Sequence, residues 1–231
     1  ITINGKRELI GGAAKQGGGT ATGEGAQAAS APEERTPAEI QKLIAQSGST
    51  PPEWWNSVPL RYPQTLDLSW PDRPPPPWDN QRNVGQYIWD IVNPNPAKWR
   101  EGVRFVHHLL SVHRDDPARR SKAMRELGRM YQDLLRDYPR AAFWWEKAGV
   151  QQAGDYAGVQ LAECYFKLGN AALAYELLGK TPPSFPAIKL WAELGEIDYA
   201  LQVADANAKG PVADIACIYA GDACRVAGRT Q

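Results

Sequence analysis

Four stretches of this chain repeat one pattern of small and large apolar residues, and that periodicity constrains the fold more than any other feature. Leu127-Gly128-x-x-Tyr131 is followed by Ala141, Trp145 and Ala148, and Leu161-Ala162-x-x-Tyr165 by Gly169 and Ala174. Ala187-Ile188-x-x-Trp191 is followed by Gly195 and Ala200, and Ala220-Gly221-x-x-Cys224 by Gly228. The first two stretches lie 34 residues apart, and Gly169, Gly195 and Gly228 mark later intervals of 26 and 33. A period of this length marks a unit that cannot bury its apolar face alone and must stack on its neighbours. The composition fits that use: small residues let two helices approach closely, a large ring fills the gap to the next unit, and glycine ends a helix in the left-handed conformation.

The sequence around the repeats reads as helix. Asn95-Pro96 and Asp116-Pro117 each pair a cap with a first-turn proline. Trp99, Val103, Val106, Leu109 and Leu110 keep helical spacing, and Met124, Leu127, Tyr131, Leu134 and Tyr138 recur at steps of 3, 4, 3 and 4, the period of one helix face. Pro139, Gly154, Gly169, Pro182-Pro183, Gly195 and Gly210-Pro211 punctuate the C-terminal part of the chain into helices of about 10–20 residues with very short turns, which makes neighbours antiparallel.

These motifs resemble the tetratricopeptide family over residues 117–228. Its unit of about 34 residues places Leu-Gly-x-x-Tyr on a first helix, glycine at the turn, and alanine, an aromatic and alanine on a second. The resemblance implies an all-α fold, an α-solenoid of antiparallel helix pairs, whose first helices line a concave groove that holds a partner protein or peptide. Carried over residue by residue, the groove positions are Lys122, Arg125, Arg129, Gln132 and Asp133 in the first unit and Tyr156, Val159, Glu163, Phe166 and Lys167 in the second. The third supplies Lys189, Ala192 and Glu193, and the fourth Ile218, Asp222 and Arg225. Arg125, Arg129, Lys167, Lys189 and Arg225 suit carboxylates of a peptide; the competing reading is a solvated helix face. The pattern departs from the family at three places. The first unit has one extra residue between Tyr131 and Ala141, Pro182-Pro183 cuts short the second helix of the second unit, and the last unit lacks its second helix. We therefore expect the natural chain to continue past Gln231.

Upstream, three domains are expected: residues 1–35, 36–95 and 96–231. Residues 11–31 hold almost no large apolar side chain and read as a flexible Gly/Ala-rich linker; such a tether leans toward an extracytoplasmic site. Thr36, Pro37 and Glu39 form a capping box for a short helix with Ile40, Leu43 and Ile44 on one face. Residues 50–96 carry eleven prolines and five tryptophans, Trp54, Trp55, Trp70, Trp78 and Trp89. Proline blocks helix interiors, so an extended belt is expected, with a short strand near Thr65–Leu68 and a short helix near Val84–Val92. Its rings are too many for a free linker and should pack on the helical body. The alternative use of Trp54, Trp55, Trp70 and Trp78 is stacking on sugar rings of a glycan or cell wall. A third reading makes the chain an accessory region of a larger enzyme or secretion assembly.

Charge and chemistry narrow the rest. With 26 basic and 26 acidic side chains the chain has no net charge and no field to gather nucleic acid. No apolar run is long enough to span a bilayer. Cys164, Cys217 and Cys224 make neither a disulfide framework nor a zinc pattern. Ala174 to Gly179-Lys180-Thr181 mimics a phosphate loop, but a helix precedes it and prolines come directly after. His107, His108 and His113 lack metal spacing, and no nucleophile–base arrangement is recognisable. The reading is a binding protein without cofactor, metal or catalytic residues.

Overall fold

The computed structural model describes residues 2–3, 6–7, 34–70, 83–181, 184–209, 213–226 and 228. The expected linker 11–31, Trp78 and the Pro74–Pro77 run lie outside the described residues. Two compact units divide the chain at Ala31 and Pro32. In the first, β1 (Thr2–Ile3) and β2 (Lys6–Arg7) pair antiparallel, Thr2 opposite Arg7.

The second unit is helical. Helix α1 (Pro37–Ser49) starts at Thr36, whose Oγ1 accepts from Glu39 N–H while the Thr36 N–H donates to Glu39 Oε2 at 2.8 Å, the reciprocal box expected from the sequence. Ile40 and Ile44 are its buried face, and it packs on α5. No strand forms at Thr65–Leu68; a single parallel bridge joins Asp67 to Asn83. With prolines at 59 and 63 nearby, few amide donors remain for a ladder. Helix α2 (Val84–Tyr87), boxed by Asn83 and Gln86, runs directly into a π turn at Ile88–Val92.

The body then continues as α3 (Trp99–Val112), α4 (Pro117–Arg129), α5 (Tyr138–Ala148), α6 (Val150–Lys167), α7 (Ala171–Lys180), α8 (Ile188–Glu193), α9 (Ile197–Asn207) and α10 (Ala213–Val226). Sequence neighbours pack together: α3 on α4, α4 on α5, α5 on α6, α6 on α7, α8 on α9, and α10 on both α8 and α9. One apolar core runs from α1 to α7 around Phe105, Leu127 and Trp145. A second runs from α6 to α10 around Ile188, Trp191 and Val203.

The repeated residues build these cores. Leu127, Tyr131, Ala141, Trp145, Leu161, Ala162, Ala174, Ile188, Trp191 and Ala200 are all buried. A Cβ on Gly128 would stand 2.7 Å from the Trp145 ring, so the small residue and the large ring of one repeat are a matched pair. The extra residue of the first unit has a structural form: α4 ends in a π turn at Met130–Leu134, the geometry that absorbs one inserted residue. The helix therefore stops, and Tyr138 opens α5 rather than continuing the face of Tyr131 and Leu134. Arg136 takes φ 55°, the turn role that Gly169 (φ 92°) and Gly195 (φ 90°) play in the next two units. Gly154 lies inside α6 and breaks nothing; the break falls at Gly149 (φ 74°).

The belt packs on α3 through its histidines. His108 Nε2 meets the Tyr62 hydroxyl at 3.4 Å and His113 Nε2 meets Leu68 O at 2.9 Å. Trp55 stands edge-on to His107 at 4.9 Å, with Arg104 over its face at 4.5 Å and bonded to its carbonyl. Further along, Asn170 Nδ2 donates to Arg35 O at 2.7 Å, and Arg35 N–H donates to Gly169 O at 2.9 Å.

Candidate functional site

Two clefts open along the body and share Tyr156. The first, about 390 Å³, lies between α2 with its π turn, α4 and α6. Its walls are Trp70, Trp89, Trp145 and Tyr156, and its charges are Lys122, Arg125, Glu126 and Arg129. The second, about 280 Å³, lies between α6, α8 and α10, with Asp133, Glu163, Lys189 and Glu193 as its charges and Tyr219 at its edge. Each volume is near the lower end of the range for ligand sites.

Helical spacing places the first set. Lys122, Arg125, Glu126 and Arg129 recur at steps of three and four on α4 and so share one face. Arg129 is held on every side: it pairs with Glu126, donates to Asn93 Oδ1 at 2.9 Å, approaches Asp133 at 3.9 Å and stacks on Trp89 at 4.9 Å. Burial pulls its pKa down, but the Glu126 bond and charge outweigh it and the net direction is up. Lys122 sits over the Trp70 ring at 5.6 Å. Arg125, by contrast, makes no ion pair or hydrogen bond among the described residues.

Trp89 is 61% exposed and Tyr156 45% exposed, the large rings that the groove leaves in water. Burial, then the nearby Asp133 charge, lifts the Tyr156 hydroxyl to about 12, so it is a neutral donor at physiological pH. Burial also raises the carboxyls of Asp133, against Arg129, and of Glu163, against Lys167.

Of the residues expected in the groove, Lys122, Arg125, Arg129, Asp133, Tyr156, Val159, Glu163, Lys189 and Glu193 line the two clefts. Gln132 does not. It is 1% exposed, accepts from Trp145 Nε1 at 2.8 Å and from Cys164 Sγ at 3.4 Å, and donates to Glu163 Oε2 at 2.8 Å. The π turn rotates it inward, where it satisfies Trp145 and positions Glu163 instead of meeting a partner. Phe166 packs on the second core with Lys167 over its ring at 5.2 Å, and Lys167 pairs with Glu193 at 3.1 Å; neither residue lines a cleft. Asp222 and Arg225 pair with each other at 3.2 Å on α10, outside both clefts, and Ile218 beside them is exposed.

The tryptophans nominated for a glycan are placed differently. Trp70 is buried, Trp54 is packed on the core under Arg100, and Trp55 is covered by Arg104. Trp89, which lies in the stretch expected as a short helix near 84–92, is the exposed tryptophan of the first cleft. A third cleft of about 280 Å³ runs past Trp55, His107, Tyr131, Arg140 and Trp144. His107 Nε2 and the Tyr131 hydroxyl stand 3.2 Å apart there, and Arg140 is tied to Asp137 at 2.6 Å and to Thr50 O at 3.3 Å.

Among the described residues no group of three His, Cys, Asp or Glu could hold a metal ion, and no helix is long and apolar enough to cross a membrane. No protein-family profile, curated protein or solved structure matches the chain.

Proposed function

We propose that the helices from α4 onward form an α-solenoid of antiparallel pairs of the tetratricopeptide kind, and that it is an interaction scaffold holding an extended segment of a partner protein along the face of α4, α6 and α8. The observation that carries this is the pair of clefts joined at Tyr156: residues of α4, α6 and α8 line them, together with Trp70, α2 and its π turn, Trp145 and Tyr219, and they leave two large rings in water. A surface of that kind marks an interaction site. The reading assigns no catalysis. Among the described residues, the side chains in the groove are cations, carboxylates, rings and aliphatic groups, with no nucleophile beside a base. Arg125, which makes no ion pair or hydrogen bond among the described residues, is the cation of the groove suited to a carboxylate of the segment.

The test is a peptide-display selection on the purified chain, with binding of the enriched peptides remeasured against Tyr156→Ala and Arg125→Ala. The expected result is enrichment of peptides whose affinity falls at least about tenfold in both variants while circular dichroism and melting stay unchanged. Failure to enrich, or binding indifferent to both substitutions, would remove the groove as the site.

A further inference from the structure

The two clefts have opposite charge. Among the described residues, three cations (Lys122, Arg125, Arg129) of the first face one carboxylate, Glu126, which is already committed to Arg129. Among the described residues, three carboxylates (Asp133, Glu163, Glu193) of the second face one lysine of the lining, Lys189, with Lys167 paired to Glu193 from outside it. The chain as a whole is neutral, so the total does not reveal this difference between the clefts. Tyr156 marks the boundary because it lines both clefts.

We propose that the groove recognises a charge-segregated segment of a partner protein: acidic side chains flanking one aromatic residue in the first cleft, and basic side chains in the second. The inference rests on the groove reading above and adds the chemistry of the occupant. The aromatic residue is assigned to the first cleft because Trp89, exposed and backed by Arg129, and Tyr156 offer it two rings. The acidic residues are assigned there because Arg125 has no partner among the described residues, so a carboxylate reaching it displaces no existing ion pair. Lys122 and Arg129, though engaged with Trp70 and Glu126, add positive charge beside Arg125. In the second cleft, Glu163 is half-buried and Asp133 is open to water. A lysine or arginine from the partner would add to the countercharge that Lys189, Lys167 beside Glu193 and Arg129 beside Asp133 already give. Reversed segments face like charges at both clefts, which is how such surfaces reject wrong partners and set register.

The experiment uses the full chain and three fluorescein-labelled peptides of identical composition, measured by fluorescence anisotropy. One has an acidic block, a phenylalanine and then a basic block; the second has the blocks in the opposite order; the third interleaves the same charges. The expected result is that one block order binds at least about tenfold more tightly than the interleaved peptide, with the gap shrinking as salt is raised. Arg125→Glu should lower that affinity by about tenfold or more, and a peptide with its acidic block replaced by lysines should recover binding to Arg125→Glu but not to the unaltered chain. Melting of Arg125→Glu is measured alongside, so that loss of fold is not read as loss of binding. If block-charged and interleaved peptides bind alike, or if Arg125→Glu leaves the preference intact, the charge-segregation proposal is overturned while the groove reading stands. If no peptide binds and the display selection also fails, both fall together.

Discussion

Gly128 and Trp145 show in two side chains why the repeat has the composition it has. The glycine is buried under the ring, and a Cβ there would be 2.7 Å from it, closer than packed atoms approach. Gly128→Ala should therefore destabilise the fold by about 1–3 kcal/mol in urea denaturation. Gly179, inside α7, has nothing within 4 Å of its absent Cβ; Gly179→Ala should be neutral or stabilising by up to about 1 kcal/mol. Equal effects at the two sites would contradict the packing account. The same scale holds a titration. Burial first, and Arg104 second, lower His107 to about 4, whereas the unfolded residue titrates at about 6.5. The unfolded chain then binds more protons than the folded one between these values, so stability falls as pH drops through that window and levels off below it. The raised carboxyls of Asp133 and Glu163 act in the opposite sense, so the measurement is a difference: His107→Gln should remove about 2–3 kcal/mol of the acid-side loss relative to the unaltered chain. A parallel pair of stability curves would mean that His107 takes up its proton as readily in the fold as in the unfolded chain.

At the scale of elements, the helical class that the sequence implied is present, and the local departures have physical causes. The helix caps at Thr36, Asn95 and Asp116 were readable because a capping side chain and its proline or glutamate are neighbours in sequence. The one-residue excess between Tyr131 and Ala141 was also readable, but its form was not. Hydrophobic spacing cannot distinguish a longer helix from a π turn, and that turn is what sends Gln132 into the core and Tyr138 into the next helix. Arg136 carries the consequence. It occupies a left-handed position (φ 55°) that a side chain adopts at a cost of about 1–2 kcal/mol. Arg136→Gly should stabilise the chain by up to about 1 kcal/mol, read as a raised Tm; a lowered Tm would show that the arginine's proximity to Asp133 outweighs the strain. Trp89 was hidden for a different reason. A ring in a short helix beside many prolines reads as one more belt tryptophan, and only the placement of α2 against α4 makes it the wall of a cleft.

Across the second unit, the belt, the capped helices and the repeats serve one arrangement. His108 and His113 hold the belt on α3, α1 packs on α5, and Asn170 ties the turn before α7 to Arg35. One face of α4, α6 and α8 is left with its rings and charges open. Charge balance over the chain, which argued against a nucleic-acid partner, conceals the division of charge within the groove, because opposite clefts cancel in the total. The central claim is that this face, and no other, receives the partner segment. Its most direct measurement is photo-crosslinking of the tightest display-selected peptide to chains carrying benzoylphenylalanine in place of Tyr156, of Lys189, or of Glu176, an exposed residue of α7 that lines neither cleft. The account predicts adducts from positions 156 and 189 and none from 176. An adduct at 176 as strong as at 156, or none at either groove position while the peptide still binds, would contradict it.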